Sequence, residues 1–202
     1  MICNDWIVYV QQILNNAGHG YVSYCPIVIP TEKKDKAVAI DAKLNEKYIT
    51  NISKDVRYRR KKKGLANCIY IRWDIHAVIL RSSGEWLNED PGDRFYSFHH
   101  VPYVFPAGNW IYVKVGPAKT GKKFTAYLNK ESYRNIKEVL RENIEHRRLD
   151  VLDKYYGRLA GLPAYSGILS QMGELRRFCM GELRRHGING YRPARLTLRN
   201  VF

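Results

Sequence analysis

Six cations stand within seven residues at Arg57, Arg59, Arg60, Lys61, Lys62 and Lys63, preceded by Lys54 and followed by Gly64. Side chains of one sign packed this closely repel one another, and only solvent or a bound polyanion relieves the repulsion. Phosphate groups supply that screening. Tyr58 inside the run, with Tyr70 and Trp73 beyond it, adds rings that can stack on unpaired bases where they are exposed. The plain alternative is a solvated basic turn, or a localisation-type patch that reads no base.

A second basic cluster, GPAKTGKK at Gly116 to Lys123, resembles the phosphate-binding GxxxxGK[ST] loop and follows an expected strand. The resemblance fails where the chemistry lies. Lys123 replaces the hydroxyl that would hold magnesium, and Phe124 to Leu128 reads as a strand where that loop should open a helix. A basic hairpin turn, with Lys119, Lys122 and Lys123 reaching a phosphate backbone, is the better account. A third cluster comes from the repeat MGELRR, at Met172 to Arg177 and again at Met180 to Arg185. A shift of eight residues turns a helix by roughly 80°, so Arg176, Arg177, Arg184 and Arg185 spread over its surface.

Acids and histidines gather between the first two basic clusters, and Asp74, Glu89, Asp90, Asp93 and His99 are the catalytic candidates. A nuclease needs two or three carboxylates converging on a divalent metal beside bound backbone. That metal is expected only if such chemistry exists; otherwise no cofactor and no metal-ligand set is expected. A nuclease of the D…(D/E)xK type wants an acid two before Lys114, where Tyr112 stands. On a regular strand His99 and His100 point to opposite sides and cannot share one ion. A solvated acidic loop with hydrogen-bonded histidines is the ordinary reading. LAGLPAYSG, Leu159 to Gly167, begins like the helix of LAGLIDADG homing endonucleases, but the likeness stops after four residues. The metal-binding acid is missing and Pro163 breaks the helix.

Periodicity supplies the scaffold. Asn4 or Asp5 can cap a first helix with Ile7, Val10, Ile13 and Leu14 on one face, ended by residues 15–18. Tyr21 to Ile29 reads as a strand and residues 35–48 as a second helix. Ala66 to Arg72, Ile75 to Leu80, Tyr96 to Phe105, Asn109 to Val115 and Phe124 to Leu128 read as further strands, in a small mixed or antiparallel sheet of about five. Asn129 caps a third helix with Tyr133, Ile136, Leu140 and Ile144 in register. Leu149 to Leu159 continues as helix. Ser166 is the expected cap of a final helix that buries Ile168, Met172, Leu175, Cys179 and Leu183 and stops at Gly187. The fold class is therefore α+β, with helices packed on the sheet and a C-terminal helical pair. The expected division is a core over 1–163, carrying the basic segment 54–63, and a basic helix and tail over 164–202.

The chain of 202 residues carries 34 Lys and Arg against 19 Asp and Glu, a net charge of +15. The excess is blocked. Residues 1–53 are balanced at five of each sign, residues 54–72 hold eight basic groups and one acid, and residues 73–103 hold two basic groups and five acids. Such a balance speaks to partners and not to fold. Cys3, Cys25, Cys68 and Cys179 form no CxxC pair and are expected as free, buried thiols. The apolar stretch from Trp6 to Leu14 is too short to span a bilayer and has no signal-peptide flank, so a cytoplasmic location and no membrane partner are expected.

Nucleic acid, DNA or RNA, is the partner this pattern favours, held through phosphates from several segments. With 6 to 10 phosphate contacts its affinity would fall by about 10³ to 10⁵ between roughly 50 and 200 mM salt. A metal-dependent nuclease of a mobile or defence element is the enzymatic alternative. A basic structural subunit of a ribonucleoprotein or protein complex is the third.

Overall fold

The computed structural model describes residues 1–88, 91–108, 111–121, 123–193 and 196–200. Among them are six α-helices, a five-stranded mixed sheet and a three-stranded sheet, an α+β arrangement. The chain packs as two compact units, Met1–Phe105 with Val115–Phe124, and Pro106–Lys114 with Thr125–Phe202.

In the first unit, Asp5 caps α1 (Trp6–Gly18) by accepting from the Ile7 amide at 2.8 Å. The helix buries Ile7, Tyr9, Val10, Ile13 and Ala17. It lies on a sheet built from β1 (Ile2–Cys3), β2 (Ser23–Val28), β3 (Cys68–Trp73), β4 (His76–Arg81) and β5 (Tyr96–Ser97), in the order β1-β3-β4-β2-β5. β1 runs parallel to β3 and the other pairings are antiparallel. Both central strands, β3 and β4, are covered on both faces, which is why they read as continuous apolar runs and not as alternating ones. One face packs Cys25, Cys68, Tyr70, Ala77 and Ile79 with Tyr48, just beyond α2 (Ala37–Lys47). Alternation turns Ile69, Ile71, Val78 and Leu80 to the other face, where all four are buried.

The expected strand from Tyr96 to Phe105 is broken. The amides of His100 and Val101 both donate to the Ser97 carbonyl, at 3.1 and 2.9 Å, and close a turn. Pro102 follows with no N–H to offer a ladder. β5 therefore ends at Ser97, and β6 (Tyr103–Ala107), β7 (Ile111–Pro117) and β8 (Phe124–Leu128) pair in that order as the second sheet.

The second unit holds α4 (Lys130–Glu145), α5 (Leu149–Arg158) and α6 (Ser166–Arg185). Asn129 caps α4, its side chain accepting from the Ser132 amide at 2.8 Å. The apolar stripe of α4 packs against both α5 and α6. Ser166 is not the cap of α6. Its hydroxyl donates to Thr125 Oγ1 at 3.0 Å, and the same oxygen accepts from the Gly167 amide at 3.1 Å. Thr125, distant in sequence, does the capping. The expected buried face of α6 is present from Ile168 to Leu183, and Gly187 terminates the helix at φ +63. Among the described residues no helix is long and apolar enough to cross a membrane.

One glycine sets where the basic segment ends. Gly84 has φ +122, and a Cβ there would sit 2.6 Å from the Gly64 carbonyl oxygen. The close approach lets Glu85 donate to Gly64 at 2.9 Å and accept from Ala66 at 2.7 Å. Gly84→Ala is expected to destabilise the protein by about 1–3 kcal/mol through backbone strain alone, read as a lowered Tm in thermal unfolding. An unchanged Tm would show that this clamp is dispensable.

Candidate nucleic-acid interface

The basic segment is a helix, α3 (Lys54–Lys62), where a solvated turn was the plain alternative. Ser53 accepts from the Val56 amide at 3.3 Å, Asp55 lies in the first turn, and four cations lie in the last turn, where the helix dipole favours them. Lys63 caps the C-terminus, and Gly64 takes φ +73 just beyond it. Ser53 before the run, Asp55 in its first turn and Gly64 after it are residues that start and stop a helix, but no helix was expected at 54–62.

Val56, Arg57 and Arg60 are half-buried, while Lys54, Tyr58, Arg59, Lys61, Lys62 and Lys63 are exposed. Among the described residues none of those five exposed cations has a carboxylate partner within ion-pair distance. Arg57 serves the fold instead. Its guanidinium donates to the Thr50 carbonyl at 2.8 Å, and its own carbonyl accepts from Asn67 Nδ2 at 3.0 Å.

The three candidate stacking rings fare differently. Tyr58 is 60% exposed, with the Lys62 ammonium 4.9 Å from its ring centre. Tyr70 is 2% exposed and donates its hydroxyl to Asp41 at 2.5 Å, so its ring lies in the core and cannot receive a base. Trp73 is half-buried and stacks on His76, ring centres 5.9 Å apart. Burial lowers the His76 pKa, because a desolvated imidazole favours the neutral form.

Sequence reasoning missed one buried polar group that joins α2 to β3. Asp41, 7% exposed, accepts from Arg72 Nε and its second guanidinium nitrogen at 2.8 Å each, and from Tyr70. The hydrogen bonds from Arg72 to Asp41 raise the arginine's pKa further. Asp41 lay within an expected helix, but nothing in its neighbours named Arg72 as its partner.

In the turn between β7 and β8, the Ala118 amide donates to the Lys123 carbonyl at 2.7 Å, and Gly121 takes φ +69. The strand β8 follows directly, as expected of a hairpin and not of a phosphate-binding loop. Lys119 and Lys123 are exposed there; Lys122 lies outside the described residues. On α6, Arg176, Arg177 and Arg184 are exposed along a groove of about 720 Å³ that also takes in Leu169 and Met180. Arg185 is committed elsewhere, donating at 2.7 Å to Glu182, a carboxylate only 4% exposed that Arg141 approaches at 3.8 Å.

The catalytic candidates do not converge among the described residues. Asp74, at φ +50 in the β3–β4 turn, pairs with Lys34 at 2.7 Å. Asp93 accepts from Lys47 and from the Tyr48 hydroxyl, and those hydrogen bonds hold its carboxyl below the usual range. Glu89 and Asp90 lie outside the described residues. His99 and His100 sit in the Ser97 turn, not on a strand, and the His99 ring packs 4.9 Å from Phe124. The described residues contain no group of three His, Cys, Asp or Glu that could hold a metal. All four cysteines are free and buried. Burial pushes the thiols of Cys68 and Cys179 up to about 12, so they stay protonated and are poor nucleophiles.

No protein-family model matches the chain, and no curated protein matches it.

Proposed function

We propose that the protein binds nucleic acid, with the exposed face of α3 as the principal phosphate contact. One observation carries the reading: five exposed cations, Lys54, Arg59, Lys61, Lys62 and Lys63, stand on one helix and its cap with no carboxylate partner among the described residues. Elsewhere the same chain does pair its charges, as at Asp41–Arg72 and Glu182–Arg185. An unpaired cluster of one sign on an ordered helix repels itself, and a bound polyanion relieves that repulsion more strongly than solvent does. Lys119 and Lys123, and the arginines Arg176, Arg177 and Arg184, are further phosphate contacts in this reading. The four free cysteines fit a cytoplasmic setting.

The variant carrying Arg59→Ala, Arg60→Ala, Lys61→Ala, Lys62→Ala and Lys63→Ala tests it by fluorescence anisotropy on oligonucleotides of unrelated sequence. Binding is expected to weaken by a similar factor on every sequence, because phosphate contacts position the protein and carry no base information. Loss on some sequences and not others would rule out a pure backbone role for α3. Copurification after nuclease digestion addresses the other partner class: a partner that survives digestion identifies docking on an acidic protein instead.

A further inference from the structure

The groove along α6 joins two chemistries. Its apolar lining comes from Leu169 and Met180 on the helix and from Leu196 and Leu198 in the segment that follows it. Leu169 is 47% exposed and Met180 is half-buried, so this lining is open to solvent. The segment is held in place, because the Arg199 amide donates to the Leu162 carbonyl at 3.0 Å and the Arg199 carbonyl accepts from the Ala164 amide at 2.9 Å. Arg176, Arg177 and Arg184 line the same groove and are exposed. Among the described residues no carboxylate lines it, and none of these three arginines has one within ion-pair distance.

Two glycines keep the groove open. A Cβ at Gly173 or Gly181 would meet nothing within 4 Å, although glycine inside a helix is less stable than alanine. At Gly167 the fold explains the choice, since a Cβ there would lie 2.4 Å from the Ala126 carbonyl oxygen. Gly173 and Gly181 have no such neighbour, and their effect is to let another body approach the α6 backbone.

Guanidinium holds phosphate and carboxylate alike, so the apolar lining decides the occupant. Phosphate would leave that lining unused, and Tyr156, its one ring, is 2% exposed and offers no stacking face to a base. A lipid surface calls for apolar side chains that protrude, and these line a concavity. An extended peptide needs a free sheet edge, and no strand of either sheet lines the groove. A helix with carboxylates beside its apolar stripe uses everything present, and methionine adapts readily to the side chains it brings. From Leu169 to Met180 α6 rises about 16 Å, or about three turns, and Arg177 and Arg184 lie roughly 10 Å apart along it.

We propose that the α6 groove docks an acidic amphipathic helix of a partner protein, with apolar side chains on Leu169, Met180 and Leu196 and carboxylates two turns apart on Arg177 and Arg184. The assignment goes beyond the phosphate reading of α3 and stands without it. The α6 arginines hold phosphate only while no such helix occupies the groove.

The probe is a fluorescein-labelled helical peptide of about four turns, with leucines along one stripe and glutamates beside it. Two controls replace leucine by serine, or glutamate by glutamine. The wild type should bind the parent peptide more tightly than the serine control by about tenfold or more, the effect of one fully buried leucine, and more tightly than the glutamine control at low salt. The chain has three methionines, Met1, Met172 and Met180, so carbon-labelled methionine methyl groups report the site: Met180 should shift on adding the parent peptide and Met1 should not. Gly173→Gln with Gly181→Gln fills the groove without changing its charge. Both positions face open space and glutamine is the better helix former, so this variant stays folded and should lose the peptide. The fivefold alanine variant of α3 should bind the peptide as the wild type does while losing oligonucleotide, which keeps the two readings apart. No binding of the parent peptide, equal binding of either control, or a bound peptide that leaves Met180 unmoved overturns the proposal. An oligonucleotide that shifts Met180 where the peptide does not also overturns it and gives the groove to nucleic acid.

Discussion

Raising salt from about 50 to 200 mM is expected to weaken binding about a hundredfold on a single strand and by several hundredfold on duplex DNA. The figure follows from the cations on one helix. Five exposed side chains, Lys54, Arg59, Lys61, Lys62 and Lys63, can each neutralise one phosphate. Each neutralised phosphate releases condensed counterions and contributes about −0.7 to the log–log salt slope on single strands, or about −0.9 on B-DNA. The slope from α3 alone is then about −3.5 or −4.5. Fluorescence anisotropy across the salt range reads it directly. A steeper slope reveals additional phosphates held by Lys119, Lys123 or the α6 arginines. A flat response would remove polyanion binding altogether, because no arrangement of these side chains on phosphate is salt-independent. The fivefold alanine variant gives the complementary result: it retains only Lys54 of the exposed set, so its slope should flatten by about one for each phosphate that it no longer neutralises.

Which parts of this surface were legible in the residues follows from how local each signal is. The capped helices α1 and α4, and the buried face of α6, rest on short-range periodicity and came through intact. The free, buried state of the four cysteines followed from their spacing. The strand from Tyr96 to Phe105 did not survive, because apolar alternation says nothing of the Ser97 turn or of a second sheet taking over at Tyr103. Tyr70 was offered as a stacking ring on its nearness to the basic run. It is instead an alternating inward residue of β3, with its hydroxyl on Asp41. Likewise the cap of α6 comes from Thr125, 42 positions before the amide it serves, and no local pattern at Ser166 reports that. Contacts between residues far apart in sequence carry no periodicity, and they decide which of the polar groups are structural and which are left for a ligand. Arg57 shows the distinction most directly: it is one of six cations within seven residues by sequence and a strut to Thr50 by structure.

Asp41→Ala is expected to lose about 3–5 kcal/mol of stability, the range for removing one partner of a buried ion pair. The side chain of Arg72, 11% exposed, would then keep its charge with no carboxylate opposite it and only the Asp74 carbonyl, 2.7 Å from its other terminal nitrogen, to meet it, and the Tyr70 hydroxyl would lose its acceptor. A chain of this size shifts its Tm by roughly 2–4 °C for each kcal/mol, so differential scanning calorimetry should record a fall of about 6–20 °C. Asp41→Asn keeps an acceptor for Tyr70 while removing the charge, and its loss should be smaller. The paired change Asp41→Leu with Arg72→Met removes both ions together and should recover much of the stability lost in Asp41→Ala, since the penalty lies in the orphaned guanidinium more than in the missing attraction. If Asp41→Ala unfolds no more easily than the wild type, the pair is not buried as described. Below its melting point the same variant should retain the wild-type salt slope, because Asp41 and Arg72 tie α2 to β3 and contribute no exposed cation to α3. Stability and phosphate binding therefore separate: one fails with a single carboxylate beneath the surface, and the other only with the lysines and arginines upon it.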